Sequence, residues 1–316
     1  MPLYLTEADV TATLSMADAL RVLDAAARKI ADGKAMNAPR QRVSAGAALL
    51  QVLPAALDGR VAYKAYTIGT NGVRFRVMLY APDGTMLAII EANALGQMRT
   101  GAASGLATRV LARADARTLG TIGTGFQART QIEAICLARP IEHVRVWGRD
   151  PARLRTFCAE LSAKLDRPIE PAASAHDAIT QADVVATMTS SATPVFSGAW
   201  LRPGTHVNAA GSNRANAAEI DVDTVRRSAI IAVEDVAQAK VESAVLIAAV
   251  AAGTFAWDDA VRLADVVAGR VAGRTDDAQI TLFESLGVGI WDIAAASHVY
   301  DACVAAGRGT ELAFAG

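Results

Sequence analysis

The sequence predicts an α/β fold in two domains, one built on a doubly wound parallel sheet and the other an N-terminal α+β unit. Three observations carry this prediction. At 316 residues the chain is long for one compact core. Between about residues 38 and 92 its apolar runs have the texture of antiparallel strands. Beyond about residue 113, short apolar runs alternate with helix-patterned segments.

Taken in order, Ser15 and Asp18 stand at capping-box spacing. Leu20, Leu23, Ala27 and Ile30 then recur at helical spacing until Gly33, which predicts the first helix. The runs VAYKAYT, VRFRVMLY and TMLAIIE predict strands, with Pro82-Asp83-Gly84 as the turn between the last two. A small-residue helix is expected from Arg99 through TGAASGLATRVLAR. The strands TLGTIG, VRVWG, DVVATMT, THVNAAG and AIIAVE follow, separated by helices, and their alternation requires a parallel sheet covered on both faces. The tail LGVGIWDIAAASHVYDACVAAG returns to helix and is expected to rejoin the first unit. The expected domains are therefore residues 1–112 with 290–316, and residues 113–289.

Composition excludes several function classes. Hydrophobic residues make up 52% and charged residues 20%, which is globular chemistry, and a net charge of −1 gives no electrostatic reason to expect nucleic acid or an anionic membrane. No apolar run reaches the roughly 18–20 residues of a membrane span, and MPLYLTEADV lacks the pattern of a secretory leader, so a cytoplasmic location is expected. Cys136, Cys158 and Cys303 are widely spaced and read as reduced thiols. His206 and His298 have no metal-ligand spacing and read as packing or surface residues, so no metal is expected. Trp147, Trp200 and Trp291 read as core.

The motif that carries chemistry begins after strand Thr118–Ile122. Gly123-Thr124-Gly125-Phe126-Gln127-Ala128 follows it directly and leads into a helix patterned by Ile132, Ile135 and Cys136. A dinucleotide-binding turn needs this order. Gly123 permits the tight turn, Gly125 lets backbone approach a pyrophosphate, and Ala128 allows close helix–strand packing. The diphosphate would rest on the free N–H groups of the helix N-terminus. The parallel-sheet domain is thus expected to be of the Rossmann type, and the protein to use a nicotinamide cofactor. After the next strand the chain reads Trp147-Gly148-Arg149-Asp150, with no carboxylate in the first positions where a ribose 2′-hydroxyl is bound. Arg149 favours NADP(H), with NAD(H) as the alternative. In the competing reading, Arg149 is a solvated loop residue and Asp150 caps the next helix. Thr187, Thr189 and Ser190 end a strand and are expected to line the nicotinamide side, unless they only terminate it.

With these residues placed, the chain resembles the ornithine cyclodeaminase/μ-crystallin family over nearly its whole length. The likeness rests on Pro39-Arg40, Lys64 in VAYKAYT, the block from Met98-Arg99 to Ala107, the glycine motif, Asp183-Val-Val-Ala-Thr-Met-Thr-Ser-Ser and Phe283-Glu-Ser-Leu-Gly287. The resemblance implies hydride exchange between the nicotinamide and the α-carbon of a small amino or imino acid, and a homodimer formed through the N-terminal domain. It also implies that Arg99 holds the substrate carboxylate, with a second arginine from Arg40 or Arg42, and Arg40 is preferred because it follows Pro39. A planar guanidinium suits that task, since its fork binds both oxygens. Lys64 is one of only five lysines and lies in an apolar strand. Desolvation and neighbouring arginines would lower its pKa and make it a proton donor or acceptor, the place the family gives it beside the substrate nitrogen.

One departure is informative. Cyclodeaminases of this family carry an aspartate after the strand matched by THVNAAG, and alignment on Glu219 places Asn213 there. An amide can neither accept that proton nor neutralise an ammonium. The expected function is therefore NAD(P)H-dependent reduction of a cyclic ketimine such as Δ1-pyrroline-2-carboxylate. The alternatives are ornithine cyclodeamination, an acyclic alanine-type dehydrogenase, and a non-catalytic NADP(H)-binding protein.

Overall fold

Two capping boxes start the first two helices of the computed structural model, which describes residues 1–70 and 72–313. Thr6 with Asp9 opens α1 (Glu7–Thr13), and Ser15 with Asp18 opens α2 (Met16–Ala31). The second was legible in the sequence. The first was not, because α1 buries only Val10 and leaves no periodic stripe.

The chain divides into two units, Met1–Thr100 with Val288–Gly316, and Gly101–Gly287. The first unit holds a mostly antiparallel sheet: β1 (Leu3–Leu5), β2 (Ala35–Asn37), β3 (Gln41–Ala45), β4 (Ala48–Leu57), β5 (Arg60–Gly69), β6 (Gly72–Tyr80) and β7 (Met86–Glu91). Its order is β1-β7-β6-β5-β4-β2, with β3 also paired to β4. The expected strands are β5, β6 and β7, and at the turn before β7 the Gly84 N–H donates to the Ala81 carbonyl. Strand β4 escaped notice; it contains Pro54, which argues against a strand interior. Leu53, Ala62, Val77, Leu79, Ala88 and Ile90 alternate onto the buried face, where the C-terminal helix packs.

Helix α3 (Asn93–Leu111) starts six residues before the expected Arg99. The Glu7 carboxylate accepts the Asn93 and Ala94 N–H groups at 2.8 Å each. It thereby satisfies donors that local sequence leaves open. A cap supplied from α1 cannot be seen in the residues around Asn93.

The second unit runs β8 (Thr118–Ile122), α4 (Phe126–Ala138), β9 (His143–Trp147), α5 (Pro151–Leu165), β10 (Ile169–Pro171), α6 (Ala175–Ile179), β11 (Val184–Thr187), β12 (His206–Ala209), α7 (Val222–Arg227), β13 (Ser228–Val233), α8 (Val236–Glu242), α9 (Ala244–Ala251), β14 (Ala260–Arg262), α10 (Leu263–Val267) and β15 (Ile280–Glu284). The strands pair in parallel in the order β10-β9-β8-β11-β12-β15-β13-β14. Strand order reverses beside β8, which makes the crevice at the carboxyl ends of β8 and β11 a topological switch point. The first unit is completed by α11 (Gly289–Ala305) and β16 (Thr310–Glu311), which pairs with β1.

Among the described residues no helix is long and apolar enough to cross a membrane, no cluster suits a metal, and all three cysteines are free. Trp291 is buried in the first unit, whereas Trp147 and Trp200 are only partly buried and pack against a core cluster of the second. His206 is fully buried; its Nδ1 lies 2.9 Å from Thr281 Oγ1 and its Nε2 3.3 Å from Asn208 Oδ1.

Candidate active site

Alternation along β5 places Ala62, Lys64 and Tyr66 on the inner face of the first unit's sheet. Lys64 is 4% exposed, and its Nζ donates to Asp292 Oδ1 at 3.0 Å. Arg99, from the second turn of α3, donates its Nε to the same oxygen at 2.9 Å. The ammonium also stands 5.5 Å from the Phe75 ring centroid and 5.8 Å from that of Tyr66. Burial drives the Lys64 pKa down from 10.5 to about 7; Arg99 pushes the same way, and Asp292 opposes both.

The two candidate arginines ahead of β4 differ. Arg40 is buried and donates Nη1 to Tyr66 Oη at 3.2 Å, while Arg42 on β3 is exposed. Tyr66 Oη in turn donates to Gln51 Oε1 at 2.9 Å. Burial raises the Tyr66 pKa, and the charges of Arg40, Arg99 and Arg42 all work against that rise. The unit thus gathers two buried guanidiniums and an amine that exchanges its proton near neutrality. Such a set can hold a carboxylate and protonate or deprotonate a nitrogen beside it.

Asp292, Gln51 and Tyr66 were not among the residues that the sequence singled out. Asp292 is the one acid in the apolar stretch 286–296, so the reasoning that selects Lys64 would also have found it. Gln51 and Tyr66 are polar groups on buried strand faces, visible once β4 is recognised.

In the second unit, Gly123 has φ +119°, donates its N–H to the Trp147 carbonyl, and would bring a Cβ within 2.3 Å of the Met188 carbonyl oxygen. Only glycine fits there. Gly125 is the N-cap of α4, with extended backbone, no side-chain cap, and nothing within 4 Å of the place a Cβ would take. A cavity lined by Thr124, Gly125 and Phe126 lies at this turn, and Ala128 is fully buried against the sheet. This geometry fits a dinucleotide diphosphate. Thr124 and Gln127 are partly buried and Phe126 is exposed.

At the end of β9, a Cβ on Gly148 would lie 2.9 Å from Thr124 Cγ2, so the two strand ends close on each other. Arg149 is exposed, and no carboxylate pairs with it among the described residues. Asp150 is spent on capping α5, accepting the Ala152 and Arg153 N–H groups, which hold its pKa below the ordinary carboxylate range. The Arg153 Nε donates to the Thr124 carbonyl at 3.2 Å beside a cavity of about 370 Å³.

Thr187 is fully buried and gives its hydroxyl to Glu219, whereas Thr189 and Ser190 are more open. Glu219 also accepts the Thr189 and Gly211 N–H groups, tying the ends of β11 and β12 together, and burial raises its pKa. Asn213 lies partly buried in the loop that this tie anchors.

Comparison with known proteins agrees with the resemblance. The model of the ornithine cyclodeaminase/mu-crystallin family matches residues 2–307. A Delta(1)-pyrroline-2-carboxylate reductase of Bacillus cereus is 38% identical over 249 residues, which is 78% of this chain and 76% of that protein. The solved structure of Thermococcus litoralis Delta(1)-pyrroline-2-carboxylate reductase with NADH and L-proline superposes with a TM-score of 0.93 at 33% identity, covering 98% of this chain and 100% of that one. An archaeal alanine dehydrogenase dimer with bound NAD gives a TM-score of 0.93 at 30% identity, covering 99% of both chains.

Proposed function

The chain belongs to the ornithine cyclodeaminase/mu-crystallin family, and on that footing we propose that it is an NAD(P)H-dependent reductase of small imino acids, with Δ1-pyrroline-2-carboxylate as the substrate to try first. The observation that carries the reading is the buried Lys64 amine, poised near neutrality beside Arg99 and close enough to feel the charge of Arg40.

Bound NAD(P)H supplies the hydride, and the chain's own groups do the rest. Arg99 makes no hydrogen bond through its terminal nitrogens among the described residues, so its fork is available for a carboxylate, and Arg40 supplies the second guanidinium. Lys64 in its ammonium form gives a proton to the substrate nitrogen as the imine carbon is reduced: one Nζ–H bond breaks, one N–H bond forms on the product amine, and solvent reprotonates the lysine. In the oxidative direction neutral Lys64 takes that proton back.

The glycine turn, from Gly123 to Ala128, would hold the dinucleotide, with Gly148, Thr187, Thr189 and Ser190 bordering it. Arg149 favours the 2′-phosphate of NADP(H), since Asp150 is occupied by its helix and offers no competing ribose-hydroxyl acceptor. The partner is a second copy of the chain. An apolar hollow of about 330 Å³ on the first unit, bordered by Met36, Pro54, Val61, Tyr63 and Tyr80, supports that reading.

Ornithine cyclodeamination is the second reading, and Asn213 speaks against it. The test is to follow NADPH and NADH oxidation with Δ1-pyrroline-2-carboxylate, alongside ammonia release from L-ornithine with NAD. The expected result is imine-dependent oxidation, faster with NADPH, and no ammonia. Ammonia with an inert imine would overturn the reductase in favour of the cyclodeaminase.

A further inference from the structure

We propose that Asp292 is the positioning residue of the proton-transferring lysine: its Oδ1 holds the Lys64 ammonium and the Arg99 guanidinium together at the place from which the proton moves. The inference rests on the reductase reading for its consequence in catalysis, but not for its physical content.

The geometry is the first support. One carboxylate oxygen receives both cations, at 3.0 Å from Lys64 Nζ and 2.9 Å from Arg99 Nε, and Asp292 is 1% exposed. It stands in the first turn of α11, where a helix favours negative charge. Its reach is set by backbone: a Cβ on Gly289 would lie 2.7 Å from the Leu53 carbonyl oxygen, so the start of α11 rests directly on β4. A bulkier residue there would carry Asp292 away from the sheet.

The charge balance is the second. The groups that bear on Lys64 are Arg99 from α3, Arg40 from the segment before β3, Tyr66 from its own strand and Asp292 from α11. Desolvation, Arg99 and Arg40 all favour the neutral amine, and Asp292 is the one carboxylate that opposes them, through charge and hydrogen bond, with the Phe75 and Tyr66 rings on the same side. Without that carboxylate the balance shifts toward the neutral amine, and less of the lysine can give a proton. The same oxygen fixes Arg99 by Nε, which leaves the fork end of the guanidinium aimed elsewhere.

The test is the variant Asp292→Asn, read in two ways. With only five lysines in the chain, the Lys64 side chain can be followed directly by isotope-edited NMR of labelled lysine through a pH titration. Its midpoint is expected near 7 in the wild type and at least about one unit lower in D292N, a tenfold change in the proton equilibrium. The upper limb of kcat/KM for imine reduction should move down by the same amount, with NADPH affinity unchanged. Asp292→Glu keeps the charge, so it should hold the midpoint within about half a unit and restore most of the activity; it also serves if D292N does not fold.

A D292N midpoint equal to or above that of the wild type would overturn the proposal, as would a D292E midpoint displaced as far down as that expected for D292N. If no variant turns over an imine at any pH, the reductase reading fails, and the titration still decides the role of Asp292.

Discussion

At the scale of single residues, the proposed chemistry turns on protonation of one amine. Burial brings the Lys64 pKa down to about 7, so if Lys64 is the donor, imine reduction should lose kcat/KM as pH rises above about 7, while amine oxidation gains over the same range. A pH–rate profile in both directions checks the pair of opposite limbs. Lys64→Ala should lower kcat by about 10²–10⁴-fold, the usual worth of a positioned proton donor, with dinucleotide affinity intact by fluorescence titration. Arg149 makes a separate prediction. Removing hydrogen bonds to a charged group costs about 1.5–3 kcal/mol, so Arg149→Gln should weaken NADPH roughly 10- to 100-fold and leave NADH nearly unaffected. Equal losses for both cofactors would show that Arg149 does not read the 2′-phosphate.

At the scale of elements, the two glycines that begin α4 separate folding from binding. Gly123→Ala forces a side chain into left-handed backbone and against the Met188 carbonyl, so it should lower Tm as well as abolish dinucleotide binding. Gly125→Ala meets nothing in the protein, so its Tm should stay near that of the wild type while affinity falls. Thermal melts with and without cofactor distinguish these outcomes.

Elements also show what a sequence can disclose. Strand β8, the glycine turn and α4 were legible because hydrophobic period, φ demand and cap all lie close together along the chain. The start of α3 was hidden because its cap comes from Glu7. Strand β10, of three residues, was too short to show a period, and β4 was masked by Pro54. At the site, Lys64 announced itself as a charge in an apolar strand. Asp292 carries the same signal in an apolar helix, yet its meaning depends on a pairing across 228 residues that no local pattern encodes.

At the scale of the whole molecule, buried carboxylates make stability depend on pH. Burial, reinforced by Glu219 and Glu234, raises the Glu284 pKa from 4.5 to about 8. The folded protein then keeps a proton that the unfolded chain has released, so this contribution is full below about pH 4.5 and is lost as pH rises through about 8. His206 acts in the opposite sense. Burial lowers its pKa from 6.5 to about 3, so stability falls as pH drops through that interval. Glu284→Gln should flatten the alkaline fall and raise Tm at pH 8 by at least about 1–2 °C, the shift that 1 kcal/mol produces at about 2.1 cal/mol/K per residue in a chain of 316 residues. Calorimetry at pH 5 and pH 8 checks the sign. The proposed dimer is tested at this scale too: the wild type should sediment as a dimer, and Val61→Glu, placed at the apolar hollow, should shift it toward monomer.

The first unit is made of two separated stretches of chain, Met1–Thr100 and Val288–Gly316, while the second is continuous. The cluster around Lys64 draws on both stretches, with Lys64 and Arg99 in the first and Asp292 in the second. A chain ending at Gly287 would leave Lys64 without the carboxylate that holds it. Only a polypeptide extended past Asp292 can therefore complete the proposed proton-transfer cluster, so a chain truncated after Gly287 should show no imine turnover.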